Sequence, residues 1–161
     1  RNSYAEKLKS NPLFNGVDVI PADVPPSKPF TTPATQDLVV TFRNLHNWLG
    51  QDAMQVIMQE AYNSLKEGGH FGVVEHRAPE GSDLEFMKKS GYVTQSLAIQ
   101  TAQEVGFKLV ASSEINANPK DTADHPKGGW TLPPSFRLKD QDRAKYAAIG
   151  ESDRMTRLFK K

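Results

Sequence analysis

An α/β fold built on an open, largely parallel sheet is what residues 37–77 predict, and three observations carry it. Leu38–Phe42 is an unbroken β-type apolar run that stops at a polar segment. Met54, Ile57, Met58, Ala61 and Leu65 then recur at helical spacing, one apolar face. Phe71–Val74 is a second short apolar run, and it stops at Glu75-His76-Arg77. Strand, helix and strand in that order make a right-handed parallel crossover. Open sheets of this kind bind ligands beyond the carboxyl ends of their strands, where both polar segments fall.

The elements follow in chain order. Residues 3–9 read as the end of a short helix, and Val17–Ile20 as a short strand ending at Pro21-Ala22-Asp23. Residues 24–36 hold four prolines and form a loop. Leu38–Phe42 has the continuous apolar character of a strand buried on both faces. Asp52 opens the next helix, with Gln55 at capping-box spacing, and Gly68-Gly69 ends it. Residues 78–93 are polar, a loop or a poorly formed helix. Residues 94–105 form a helix that stops at Gly106, and Phe107–Ala111 a strand. Residues 116–138 carry four prolines and no periodicity, a long loop and a candidate lid. Asp140–Ile149 reads as a short helix and Arg154–Phe159 as the last strand. That strand lacks a crossover helix and is expected to run antiparallel.

At 161 residues one domain is expected, residues 1–161. The hydrophobic fraction of 37% and mean hydropathy of −0.57 point to long polar loops. Twenty basic and 19 acidic residues leave a net charge of +1, so no basic excess points to nucleic acid. No run approaches membrane-spanning length, and no membrane partner is expected. There is no cysteine, which removes disulfides, thiolate metal sites and cysteine nucleophiles. No signal-peptide pattern is present; the cytoplasm is favoured, with an upstream targeting segment left open because the chain starts at Arg1.

Two clusters can carry chemistry. Arg43-Asn44-Leu45-His46-Asn47-Trp48 follows a strand directly, with His46 able to act as a base near neutral pH. Glu75-His76-Arg77 ends the neighbouring strand and suits substrate orientation or proton transfer. Asp23 is placed where an acid can accept from an adenine or ribose edge. His46, His70, His76 and His125 match no metal-ligand spacing, so no metal site is expected. A serine hydrolase is disfavoured because no G-x-S-x-G is present.

The segments VDVIPAD, DLVVTFRNLHNW and LKEGGHFGVVEHR, in this order and spacing, resemble the C-terminal part of a class I S-adenosylmethionine-dependent methyltransferase. The chain is most similar to a group of bacterial predicted methyltransferases of unassigned substrate. The residues behind that likeness are Arg43-Asn44, His46, Trp48, Glu75-His76-Arg77, residues 105–112, Asn118-Pro119 and Ser152-Asp153-Arg154-Met155-Thr156. The resemblance implies a partial Rossmann-like methyltransferase sheet, strands three to seven of the family plan. The glycine-rich first strand and the acid-ended second strand have no counterpart, and the chain contains no G-x-G.

The resemblance further implies methyl transfer from S-adenosylmethionine to a small-molecule acceptor by the parent protein, this chain alone being impaired. Asp23, Phe42, Arg43 and Asn44 would touch the cofactor. Trp48, Glu75 and Arg77 would face the acceptor, with His46 or His76 as the base where the acceptor is protonated. The family's sheet places the first strand beside the fourth, so its absence leaves Leu38–Phe42 as an edge open to another chain. A homodimer, a complementing N-terminal segment, or Val17–Ile20 moving in beside Leu38–Phe42 would each cover it. The rival expectation is a non-catalytic binding or assembly module that associates through that edge.

Overall fold

A central strand with a polar end organises the molecule, described over residues 2–161 in a computed structural model. The chain runs α1 (Asn2–Ser10), a 3-10 turn (Pro12–Phe14), β1 (Gln36–Phe42), α2 (Leu45–Gly50), α3 (Met54–Ser64) and β2 (Leu65–Ala78). It continues through α4 (Leu84–Ser90), β3 (Val93–Thr94), α5 (Gln95–Val105), β4 (Lys108–Ser113), a 3-10 turn (Gly128–Thr131), α6 (Arg143–Ile149) and β5 (Arg154–Lys160). The sheet order is β1-β2-β5-β4, with the two-residue β3 beside the end of β2. β1 and β2 are parallel, and β5 runs antiparallel between β2 and β4, as the missing crossover helix predicts.

Alternation along the strands builds the core. Phe71 and Val73 of β2 and Met155 and Phe159 of β5 are buried together with Met54, Met58 and Ala61 of α3 and Ala98 and Ala102 of α5. Phe71 stacks on Phe107 at 5.2 Å between ring centroids. α5 carries its start and stop in sequence: Thr94 Oγ1 accepts from Leu97 N, and Gly106 takes φ +112 to end it.

Several expectations need correction. Val17–Ile20 forms no strand; Val17, Val19 and Ile20 are exposed, and the segment does not move in beside β1. Its β-branched residues have no neighbouring strand to pair with, and a strand without a ladder is not stable alone. Leu38–Phe42 is not buried on both faces: Leu38, Val40 and Phe42 are 56%, 50% and 59% exposed, and only the alternate residues Val39 and Thr41 turn toward the helices.

Asp52 does not open a helix. It takes φ +52, binds Lys88 at 2.5 Å, and α3 begins after Ala53. Gly68-Gly69 does not end α3 either, since α3 stops at Ser64. The pair instead lies in a bulge of β2, where the register passes from Gln36↔Leu65 to Leu38↔His70. Gly68 has φ +77, and a Cβ on Gly69 would sit 2.9 Å from the Lys66 carbonyl oxygen. Residues 78–93 contain a well-formed helix, α4, because Asp83 caps it by accepting from Phe86 N at 2.7 Å. Among the described residues no helix is long and apolar enough to cross a membrane.

Candidate active site

The parallel pairing of β1 and β2 places Phe42 beside Val74, so the segments leaving both strands face one another. Arg43 takes a left-handed backbone, φ +58, where a non-glycine residue is strained. Its N–H donates to Val74 O at 2.7 Å, which pins the chain as it leaves the sheet. The strand ending there turns at once into α2, so most of the expected loop is helical and His46 lies in its first turn.

His46 is 8% exposed and Glu75 fully buried. Glu75 Oε1 accepts from His46 Nδ1 at 2.9 Å and from the backbone N–H of His76 at 2.8 Å. Its Oε2 accepts from the backbone N–H of His46 at 3.3 Å. A carboxylate only accepts, so the hydrogen is on Nδ1 of His46 and the lone pair on Nε2. Glu75 therefore does not line the cleft; it lies behind His46 and holds its ring.

His76 is the second imidazole, with ring centroids 5.4 Å apart. Its Nδ1 meets Ser152 Oγ at 2.5 Å, and Ser152 is buried. Burial lowers the His76 pKa to about 4; the negative charge of Glu75 pulls it back up, and His46, Arg43 and Arg154 push it down. His76 is thus neutral near pH 7 and a weak base.

Both histidines line a cleft of about 340 Å³, with Phe42, Arg43 and Asn44 on the β1 side. Asn44 Nδ2 donates to Thr41 Oγ1 at 3.2 Å. The facing wall comes from the long loop: Trp130 packs edge-on against His46 at 5.7 Å, and Pro133 and Pro134 follow it. That loop sits tightly on the end of α4. A Cβ on Gly128 would fall 2.0 Å from the Ser90 carbonyl oxygen, and one on Gly91 2.7 Å from the Trp130 ring.

Three expected site residues lie elsewhere. Arg77 does not line this cleft. Its Nε and Nη2 donate to the two oxygens of Asp153 at 2.8 and 3.0 Å, and Nη1 meets Glu114 at 2.7 Å. These bonds hold the Arg77 pKa above its ordinary value and lock β2 to the segment carrying Ser152. Trp48 packs partly buried against the hydrophobic core, because α2 turns it away from the cleft. Asp23 is exposed in a segment without a strand, takes a hydrogen bond from Ser27 Oγ at 2.5 Å, and does not line the cleft.

Trp130, Pro133 and Pro134 were not singled out from sequence, and only the Ser-Asp-Arg-Met-Thr run gave a signal for Ser152. Of the four histidines that matched no metal spacing, folding brings His46 and His76 together with Glu75. One ligand-capable atom from each of the three lies within 4.8 Å of the others.

No family model matches the chain, and no curated protein is similar enough to count as a relative. Among solved structures it is similar to the crystal structure of the [4+2]-cyclase SpnF, with a TM-score of 0.63 at 16% sequence identity. The match covers 98% of this chain and 60% of that one, so the chain spans about 60% of its neighbour's length. At that identity the likeness speaks for fold and leaves the reaction open. The five-stranded sheet, parallel at its start and antiparallel at its end, is a partial Rossmann-like methyltransferase fold.

Proposed function

We propose that this domain serves methyl transfer from S-adenosylmethionine to a small-molecule acceptor, with the rest of the cofactor wall supplied from outside this chain. The observation that carries the reading is a carboxylate-backed imidazole, His46 on Glu75, opening into a cleft at the strand ends of a methyltransferase-like sheet. The residues present fit half of such a cofactor. Phe42 offers an exposed ring at the cleft, and Arg43 and Asn44 offer donors beside it. Asp23 is not there to take a ribose or adenine edge, and the sequence holds no glycine turn. When bound, the cofactor supplies an electrophilic methyl group.

The chain's own part is to hold the acceptor in line and remove a proton where it carries one. His46 Nε2 takes that proton, and Glu75 stabilises the resulting imidazolium. His76 stays neutral and, held by Ser152, presents a hydrogen-bonding group beside it. Trp130 and the prolines of the 116–138 loop exclude water from that side, the role of a lid. In an active form of the protein, His46→Ala should lower kcat about 10²- to 10⁴-fold, the usual share of a general base. Transfer of labelled methyl groups measures it, and unchanged turnover would remove His46 from the mechanism.

A second reading has its own observation. Among the described residues β1 pairs only with β2, and Leu38, Val40 and Phe42 present an apolar row to solvent. An edge of this kind associates with another chain, and a binding or assembly module would use it without chemistry. Calorimetric titration with S-adenosylmethionine separates the two: no heat and no affinity in any assembled form favours association alone.

A further inference from the structure

Each histidine in the cleft has one nitrogen occupied and one unused. Nδ1 of His46 is held by Glu75 and Nδ1 of His76 by Ser152. Neither Nε2 has a hydrogen-bond partner among the described residues. The only buried side-chain nitrogens or oxygens without a partner there are the Nε atoms of Arg154 and Arg157. The unpartnered Nε2 atoms therefore reach open space, and both rings line the same cleft. Metal-ligating imidazoles have this form: one nitrogen donates to a fixed oxygen, which sets tautomer and ring orientation, and the other faces the ion.

We infer that His46, His76 and Glu75 form a site for one divalent transition ion of the zinc class. The two imidazoles bind it, Glu75 and Ser152 hold them in register, and the remaining coordination positions open onto the cleft.

The chemistry of the donors sets the class of ion. Neutral imidazole suits zinc, copper, nickel and iron, whereas magnesium and calcium select oxygen ligands. Zinc–nitrogen bonds of about 2.0–2.1 Å place two tetrahedral nitrogens roughly 3.3 Å apart. The two ring centroids lie 5.4 Å apart, and one ligand-capable atom from each of His46, His76 and Glu75 lies within 4.8 Å of the others, so side-chain rotation can bring both imidazoles onto one ion. Two protein ligands leave at least two positions for solvent or an acceptor, an open site rather than a structural one. The site's existence does not depend on methyl transfer. What the ion would do rests on that reading: it would lower the pKa of an acceptor hydroxyl, the task His46 performs as a base in its absence.

Zinc chloride titrated calorimetrically into chelator-stripped protein, without S-adenosylmethionine, tests the site. One ion per chain is expected, with magnesium chloride giving no binding. His46→Ala and His76→Ala should each weaken zinc at least about 100-fold, and Glu75→Gln about 10- to 100-fold, the usual cost of losing the group behind a ligand. A measurement on the unmodified chain guards against variants that fail to fold. Zinc should shift the imidazole Cε1–H resonances of His46 and His76 and leave those of His70 and His125 in place. Absence of zinc binding, equal binding of magnesium, or binding insensitive to both histidine substitutions would overturn the site. Zinc binding without methyl transfer in an assembled form would sink the methyltransferase reading and leave the metal site standing.

Discussion

Replacing Glu75 probes the whole site at once, because three buried donors depend on it. They are His46 Nδ1–H at 2.9 Å, His76 N–H at 2.8 Å and His46 N–H at 3.3 Å. Glu75→Leu keeps most of the volume and removes every acceptor. A buried donor left alone costs about 1–3 kcal/mol, and the 3.3 Å bond is the weakest of the three. Removing a buried charge returns part of that, since its desolvation is itself unfavourable. A net loss of about 2–4 kcal/mol follows. Glu75→Gln keeps one carbonyl oxygen for two donors and sets its amide against the third, for a loss of about 1–2 kcal/mol. Urea unfolding reads both. With a slope of about 2 kcal/mol per molar, the leucine variant should lower the midpoint by roughly 1–2 M. The ¹⁵N shifts of the His46 ring give an independent readout: Nδ1–H in the native protein and in the glutamine variant, whose carbonyl still accepts it, and a changed tautomer in the leucine variant. A leucine variant within about 0.5 kcal/mol of native stability, the range of a featureless substitution, would refute the role assigned to Glu75.

Gly91→Ala should destabilise by more than about 1 kcal/mol, since φ is +76 and the new methyl meets Trp130 at 2.7 Å. Gly81→Ala is the control: φ is +85 but nothing lies within 4 Å, so it should cost less and leave Trp130 fluorescence unchanged. Arg77→Met should release Glu114, whose carboxyl Arg77 holds below its ordinary value. The sign follows from the lowered folded-state value. The contribution is complete above the ordinary carboxylate pKa and is lost as pH falls through the lowered one. In Arg77→Met the Glu114 carboxyl should therefore titrate at higher pH by NMR, and an unmoved titration would show that the pair is not formed in solution.

Much of the frame was legible because it rests on local signals. α5 announces itself through apolar spacing and Gly106, and β5 runs antiparallel after a long excursion and the short α6 rather than a crossover helix of the usual kind. Elsewhere a local signal serves a different purpose in the fold. Gly68-Gly69 looks like a helix stop but relieves a strand bulge. Val17–Ile20 has strand composition and no strand to join. His46 and His76 line one cleft because both follow the carboxyl ends of neighbouring parallel strands, a placement the strand order makes legible. Trp130 carries no local signal because a proline-rich loop brings it back from far along the chain, and Trp48, which the resemblance sets facing the acceptor, packs on the core because α2 turns it away. The tie between His76 and Ser152 spans 76 residues, beyond any periodicity.

Phe42 joins the two functional readings. It lines the cleft with His46 and also an apolar groove with Val40, Val74 and Leu158 on the uncovered face. Whatever covers that face must pack on Phe42, and in doing so it fixes the ring that borders the cleft. Association and catalysis are then successive demands on one residue. Leu38 tests this, because it is 56% exposed on the same strand face but does not line the cleft. Leu38→Lys should weaken association, and it should change cofactor affinity only through the degree of assembly. Phe42→Ala should weaken both, and cofactor affinity should stay reduced even at protein concentrations that restore assembly. Equal behaviour of the two variants under those conditions would separate the exposed face from the cleft and leave the edge as an association surface alone.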